Sequence, residues 1–156
     1  MKTSLSGILW MCLVYFLMLN ACSSSVEMEG LPEMDRETEV KFKQYYRDGR
    51  ILYVTYCASC HMENGEGLKN AIPSLTKSPI FNRIMEKVPC QIKYGTQKHS
   101  SAELGPGMVG FYSLSPLEIA EITTYISSSW GNKKGLMTVK EAKSLLENCV
   151  DQIESN

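Results

Sequence analysis

Cys57-Ala58-Ser59-Cys60-His61 is the one place in the chain where two cysteines and a histidine fall within five residues. Six cysteines and two histidines in 156 residues would produce C-x-x-C-H by chance about 0.003 times, so the spacing asks for a chemical reason. Cysteines three apart at a helix end lie on one side, one turn apart, and His61 follows directly. Both sulfurs can therefore reach one partner while the imidazole is carried to the same place. A thioredoxin-like dithiol also uses C-x-x-C, but it needs a preceding strand in a βαβ pattern, and none is visible. A zinc site needs two more ligands at short, paired spacing, whereas the other cysteines are isolated and His99 stands alone. A simple Cys57–Cys60 disulfide leaves His61 without a role.

All three ligating residues have a use in the attachment motif for c-type haem. Thioethers from Cys57 and Cys60 to the two vinyl groups would hold one porphyrin permanently. His61, brought under the iron by that tether, would supply a neutral imidazole nitrogen as proximal ligand. One covalent haem c is the predicted cofactor.

The flanking residues resemble a known family, the class I monohaem c-type cytochromes, particularly small bacterial ones of respiratory chains. The resemblance covers about residues 45 to 132. Gly49-Arg50-Ile51-Leu52-Tyr53 looks like the family's Gly and aromatic pair on the N-terminal helix, and Asn64-Gly65-Glu66-Gly67 like the turn after the motif. Ile72-Pro73-Ser74-Leu75 matches its Pro-x-Leu, and Trp130-Gly131-Asn132 looks like the end of its C-terminal helix. The resemblance implies an all-α class I cytochrome c fold, several short helices wrapped around one haem, here with an extra C-terminal helix. It also implies that Pro73 and Leu75 contribute to the haem site, the Pro73 carbonyl accepting the Nδ1 proton of His61 and raising its basicity as a ligand.

A sixth ligand has to come from elsewhere, and a thioether favours reduced iron and raises the potential. Of nine methionines, Met1, Met11 and Met18 lie in the predicted signal segment, Met28 and Met34 in the acidic stretch after it, and Met62 beside His61. Met108 sits in Gly105-Pro106-Gly107-Met108-Val109-Gly110-Phe111, too rich in Gly and Pro for a helix and able to bring backbone close to a flat cofactor. It resembles the family's axial Met loop, with Val109 where a proline is common, and His61/Met108 ligation of the iron is the expectation. Met85 and Met137 fall on apolar helical positions and read as core filling. His99 reads as a solvated surface histidine, and as the replacement ligand if Met108 does not bind.

Helix signals dominate the rest. A helix is predicted over 41 to 59, a loop over 62 to 77, a short helix opened by Ser78-Pro79, and another from Pro89 to Gly95. Ser115-Pro116-Leu117-Glu118 is a capping box, after which Ile119, Ile122, Tyr125 and Ile126 recur at helical spacing until Gly131. Thr138-Val139-Lys140-Glu141 is a second capping box, leading a short helix with Val139, Ala142, Leu146 and Cys149 on one face. With Cys12 and Cys22 assigned to the N-terminal export segment, Cys90 and Cys149 are left over, and in an oxidising compartment they are expected to pair and staple this extension to the core.

At the N-terminus the apolar run Ile8 to Leu19 is twelve residues, too short to cross a bilayer comfortably at about 1.5 Å per residue. Lys2 before it and Leu19-Asn20-Ala21-Cys22 after it read as an export signal, and the latter resembles the lipobox of bacterial lipoproteins, in which the cysteine is acylated. The predicted organisation is a signal peptide over 1–21, a tether lipidated at Cys22 over 22–40, a cytochrome domain over 41–132 and a helical extension over 133–156. Glu27, Glu29, Glu33, Asp35, Glu37 and Glu39 make the tether acidic. Plain secretion, with Cys22 incidental, is the bland alternative.

Sixteen basic against seventeen acidic residues, with no arginine stripe, offer nothing for nucleic acid to bind. The function these readings imply is one-electron transfer between a redox donor and acceptor of a respiratory chain, without bond-making on a substrate. The protein would be exported and lipid-anchored to a bacterial membrane, with its haem domain in the periplasm or otherwise outside the cytoplasmic membrane. Two rivals remain: a haem enzyme or gas-binding protein with an open distal site, and a fixed electron-entry subunit of a larger oxidoreductase. Lys69, Lys77, Lys93 and Lys98 could line an exposed haem edge, although a solvated face explains any of them.

Overall fold

Asp35 starts the first helix. Its carboxylate accepts from the backbone N–H groups of Glu37 and Thr38 at 2.9 and 3.1 Å and from the Thr38 hydroxyl at 2.7 Å, so helix α1 runs Arg36–Tyr56. Glu37 and Glu39 in the first turn suit the positive end of the helix dipole, and Glu39 pairs with Lys43 one turn on. The helix thus starts five residues before the predicted residue 41, because the Asp35 cap and the first-turn acids stabilise a turn with little apolar content. The computed structural model describes residues 30–69, 71–76, 85–96 and 107–149.

Helix α1 also ends before the expected residue 59. Cys57 breaks it, and a single turn, α2, follows over Ala58–His61. A 3-10 turn at Met85–Lys87 leads into α3, Val88–Tyr94, with Pro89 in its first turn and Gly95 after its end. The start of the helix expected at Ser78-Pro79 lies outside the described residues. Helix α4, Pro116–Ser128, carries the full Ser115/Glu118 capping box, and α5, Val139–Glu147, the full Thr138/Glu141 box. Among the described residues there is no strand beyond an isolated bridge between Leu68 and Ile72.

The centre of the fold is α4, in which every residue from Ile119 to Ser128 is buried. A helix covered on all sides needs neighbours all round, and α1, α3 and α5 supply them. The α1–α4 crossing is close because Gly49 has no side chain: a Cβ there would run into the Glu121 carbonyl. One apolar cluster joins Tyr53, Cys57, Val88, Ile92, Leu114, Ile119, Ile122, Tyr125 and Ile126. Tyr53, Tyr125 and Trp130 pack mutually, with ring centroids 5.2 to 5.4 Å apart. Helix α4 stops short of Gly131: the Ser129 hydroxyl bonds the Tyr125 carbonyl at 2.7 Å, and Trp130 takes φ +54°. Helix α5 turns Ala142 inward, and beyond its end Cys149 is fully buried and bonded to Cys90 on α3.

Candidate haem site

Cys57 is the C-cap of α1 and the N-cap of α2 and packs in the core cluster, while Cys60, three residues on, is exposed. Cys57 is buried and Cys60 exposed, and both are free thiols. Burial, and then the nearby Cys60, push the Cys57 thiol up to about 12, keeping it neutral at ordinary pH.

His61 ends α2. Its Nδ1 lies 3.2 Å from the Pro73 carbonyl oxygen, and because a carbonyl can only accept, Nδ1 carries the proton and Nε2 keeps a free lone pair. Burial lowers the imidazole pKa, against the smaller opposing effect of the Pro73 contact, so the ring is a neutral nitrogen donor. The loop that brings Pro73 back is tied to the motif at several points. Gly67 N–H donates to the His61 carbonyl at 3.0 Å, and Leu75 N–H to the Gly65 carbonyl at 2.7 Å. Gly67 has φ +67°, and a Cβ there would stand 2.8 Å from the Pro73 oxygen, so glycine is what lets the carbonyl approach. On the core side the Tyr53 hydroxyl donates to the Met62 carbonyl at 2.6 Å, holding the residue after His61.

Met108 follows α3 in space. Its N–H donates to Thr96 Oγ1 at 2.8 Å and its carbonyl accepts from Thr96 N–H at 2.9 Å. Gly95, at φ +77°, lets the Met108 carbonyl pass, and Phe111 N–H donates to the Ile92 carbonyl at 2.9 Å. The Met108 side chain is half-buried against the cluster that contains Cys57. Met85, on the 3-10 turn, packs on the same cluster, and Met137, before the Thr138 cap rather than on a helix as expected, packs on a second one formed by Tyr45, Ala120 and Ala142. Cys22 and His99 lie outside the described residues, as do Lys77 and Lys98. Lys69 is exposed, but the Lys93 ammonium donates to the Tyr112 and Leu114 carbonyls at 2.6 and 2.7 Å, which occupies it with backbone.

The residues present fit a haem. Two thiols one turn apart, a neutral imidazole with its second nitrogen fixed, and a methionine on a loop pinned to α3 form a suitable donor set. Ala58, Leu75, Met85 and Phe111 supply half-buried apolar surface against the same cluster as Cys57.

Two contacts carried no sequence signal of their own. Thr96 pins Met108, and Asn132, quoted above only as part of a helix end, donates from Nδ2 to the Leu75 and Ile126 carbonyls at 2.7 and 2.8 Å. The Asn132 Oδ1 is buried and has no hydrogen-bond partner among the described residues.

Residues 46–130 match the family model described as cytochrome c, and the chain belongs to that family, as a class I c-type cytochrome with covalently bound haem c. It is 31% identical over 105 residues to the cytochrome c subunit of a quinone alcohol dehydrogenase from Gluconacetobacter polyoxogenes, a match covering 62% of this chain and 22% of that subunit. The corresponding subunit of Komagataeibacter europaeus matches equally. Cytochrome c-552 of Thermus thermophilus is 26% identical over 115 residues, covering 63% of this chain and 83% of that protein. The chain thus spans about a fifth of the dehydrogenase subunits' length but most of the small cytochrome's.

Proposed function

We propose that the protein is a membrane-anchored one-electron carrier whose single haem is held by Cys57 and Cys60 and ligated axially by His61 and Met108. The observation that carries this reading is the His61 Nδ1 contact with Pro73, which places the proton on Nδ1 and leaves the Nε2 lone pair available to ligate iron. When bound, the haem supplies an iron couple that takes up and releases one electron.

The chain's own residues limit rearrangement. Pro73 fixes the imidazole plane, Thr96 fixes the methionine loop, and the cluster around Tyr53 and Ile122 keeps water from the Cys57 side. Low polarity there tunes the potential, and small, transient docking suits turnover with a donor and an acceptor of a respiratory chain. A visible spectrum of the exported protein before and after dithionite, with a pyridine haemochrome assay, tests attachment and redox activity together. Colourless protein from cells with intact maturation machinery overturns the reading. Carbon monoxide tests the distal side: a Met108-ligated carrier resists it when reduced, whereas prompt binding identifies an open-site haem enzyme or gas-binding protein.

Export to the periplasm or outside the cytoplasmic membrane is supported by the signal-like segment before Ala21 and by the Cys90–Cys149 bridge, since disulfides persist in oxidising compartments. None of the described helices is long and apolar enough to cross a membrane, and the proposed anchor is lipid on Cys22, within the lipobox-like Leu19-Asn20-Ala21-Cys22. Mass spectrometry of the mature N-terminus checks it, an unacylated Cys22 removing the anchor. The similarity to dehydrogenase cytochrome subunits favours a second reading, a fixed electron-entry subunit of a larger oxidoreductase. A stable partner in a pull-down would select it.

A further inference from the structure

We propose that Asn132 is the positioning residue for the proximal imidazole, acting through Leu75 on the Pro73 carbonyl. The inference rests on the reading of His61 as an axial ligand. Asn132 is only 3% exposed, and one end of its amide faces two carbonyl oxygens, Leu75 at 2.7 Å and Ile126 at 2.8 Å. Two acceptors can be met only by the NH2 end, so the amide orientation follows from its partners. The other end, Oδ1, is buried and has no partner among the described residues. An apolar residue would leave no such orphan, so what the position contributes is its pair of donors.

Those donors join the haem-side loop to the end of α4. The Leu75 N–H in turn donates to the Gly65 carbonyl at 2.7 Å, and the Ser74 hydroxyl to the same oxygen at 3.3 Å. Gly65 lies under the Trp130 ring, so closely that a Cβ would stand 2.6 Å from it. The short segment after α4 therefore grips the loop twice, Trp130 at Gly65 and Asn132 at Leu75. Pro73 lies two residues before the second grip, and its oxygen meets His61 Nδ1 at 3.2 Å, the long end of a hydrogen bond. A small outward shift there weakens the contact. A weaker contact makes the imidazole a poorer base, disfavours ferric iron and raises the reduction potential.

The test uses the haem-loaded protein with Asn132→Asp and Asn132→Leu, both of which remove the paired donors, and Ser128→Ala as control. Ser128 Oγ bonds the Gly135 carbonyl at 3.3 Å in the same region and does not touch Leu75. The readouts are the exchange rate of the His61 Nδ1 proton by NMR and the reduction potential by voltammetry. Both Asn132 variants are expected to speed that exchange at least about tenfold and to raise the potential, with the control unchanged in both. Wild-type values in the Asn132 variants, or an equal shift in the control, overturn the proposal. Should the variants fail to fold, the wild-type Asn132 Nδ2 protons decide: slow exchange supports the clamp, and free exchange overturns it. A wild-type protein with no ligated-histidine Nδ1 signal would instead remove the reading of His61, a distinct result.

Discussion

Thr96 and Met108 are joined twice, side chain to backbone at 2.8 Å and backbone to backbone at 2.9 Å, so the residue after α3's terminal Gly95 sets the height of the methionine loop. Thr96→Val keeps the shape but removes the acceptor and leaves a half-buried N–H unpaired, at a cost of about 1 to 3 kcal/mol. The expected result is a weaker near-infrared charge-transfer band in the oxidised protein and measurable carbon monoxide binding when reduced. An intact band with continued carbon monoxide resistance would show that the clip does not hold Met108.

The bridge between Cys90 and Cys149 spans 59 residues of sequence and ties α5 to α3. Replacing both cysteines by serine should lower stability by about 4 kcal/mol on the chain-entropy account, read as a shift of the denaturant midpoint. The visible spectrum should survive, because neither cysteine belongs to the haem site. Thiol titration of the denatured, unreduced wild type should find neither of these two free.

Gly49→Ala sets two effects against each other. Alanine improves helix propensity by about 1 kcal/mol, but here its Cβ meets the Glu121 carbonyl, a backbone atom that moves only with α4. Overpacking at about 1 to 3 kcal/mol wins, and the thermal midpoint should fall.

Glu121 is 7% exposed, and burial first, then the carboxylates of Asp48 and Glu118, hold its pKa above the usual 4.5. The folded chain therefore binds more protons than the unfolded chain between the two values, and stability falls as pH rises through that window. Glu121→Gln should raise the thermal midpoint at neutral pH and lose that advantage below about pH 4.5. An equal gain at both pH values would rule out ionisation as the cause.

Most of the chemistry was written locally. The motif at Cys57–His61, the boxes at Ser115/Glu118 and Thr138/Glu141, and the Pro73 return all depend on residues a few positions apart, or on a short loop whose glycines are legible. Short-range geometry follows from covalent spacing, so a linear reading finds it. The pairing of Cys90 with Cys149 was also reachable, since Cys12 and Cys22 fall in the predicted signal and lipobox and Cys57 and Cys60 in the motif.

The start of α1 at Arg36 was misjudged because apolar periodicity is silent over its first turn, where a cap and charges do the stabilising. The occupation of Lys93 by the Tyr112 and Leu114 carbonyls, the clip between Thr96 and Met108, and the hold of Asn132 on Leu75 lie further beyond linear reading. Each joins polar groups twelve or more residues apart. Their partners are set by where helices stop and cross, and a crossing is decided by packing across the whole core. Local composition named the donors for a haem, while the meeting of α1, α3 and α4 determined which backbone atoms hold them still.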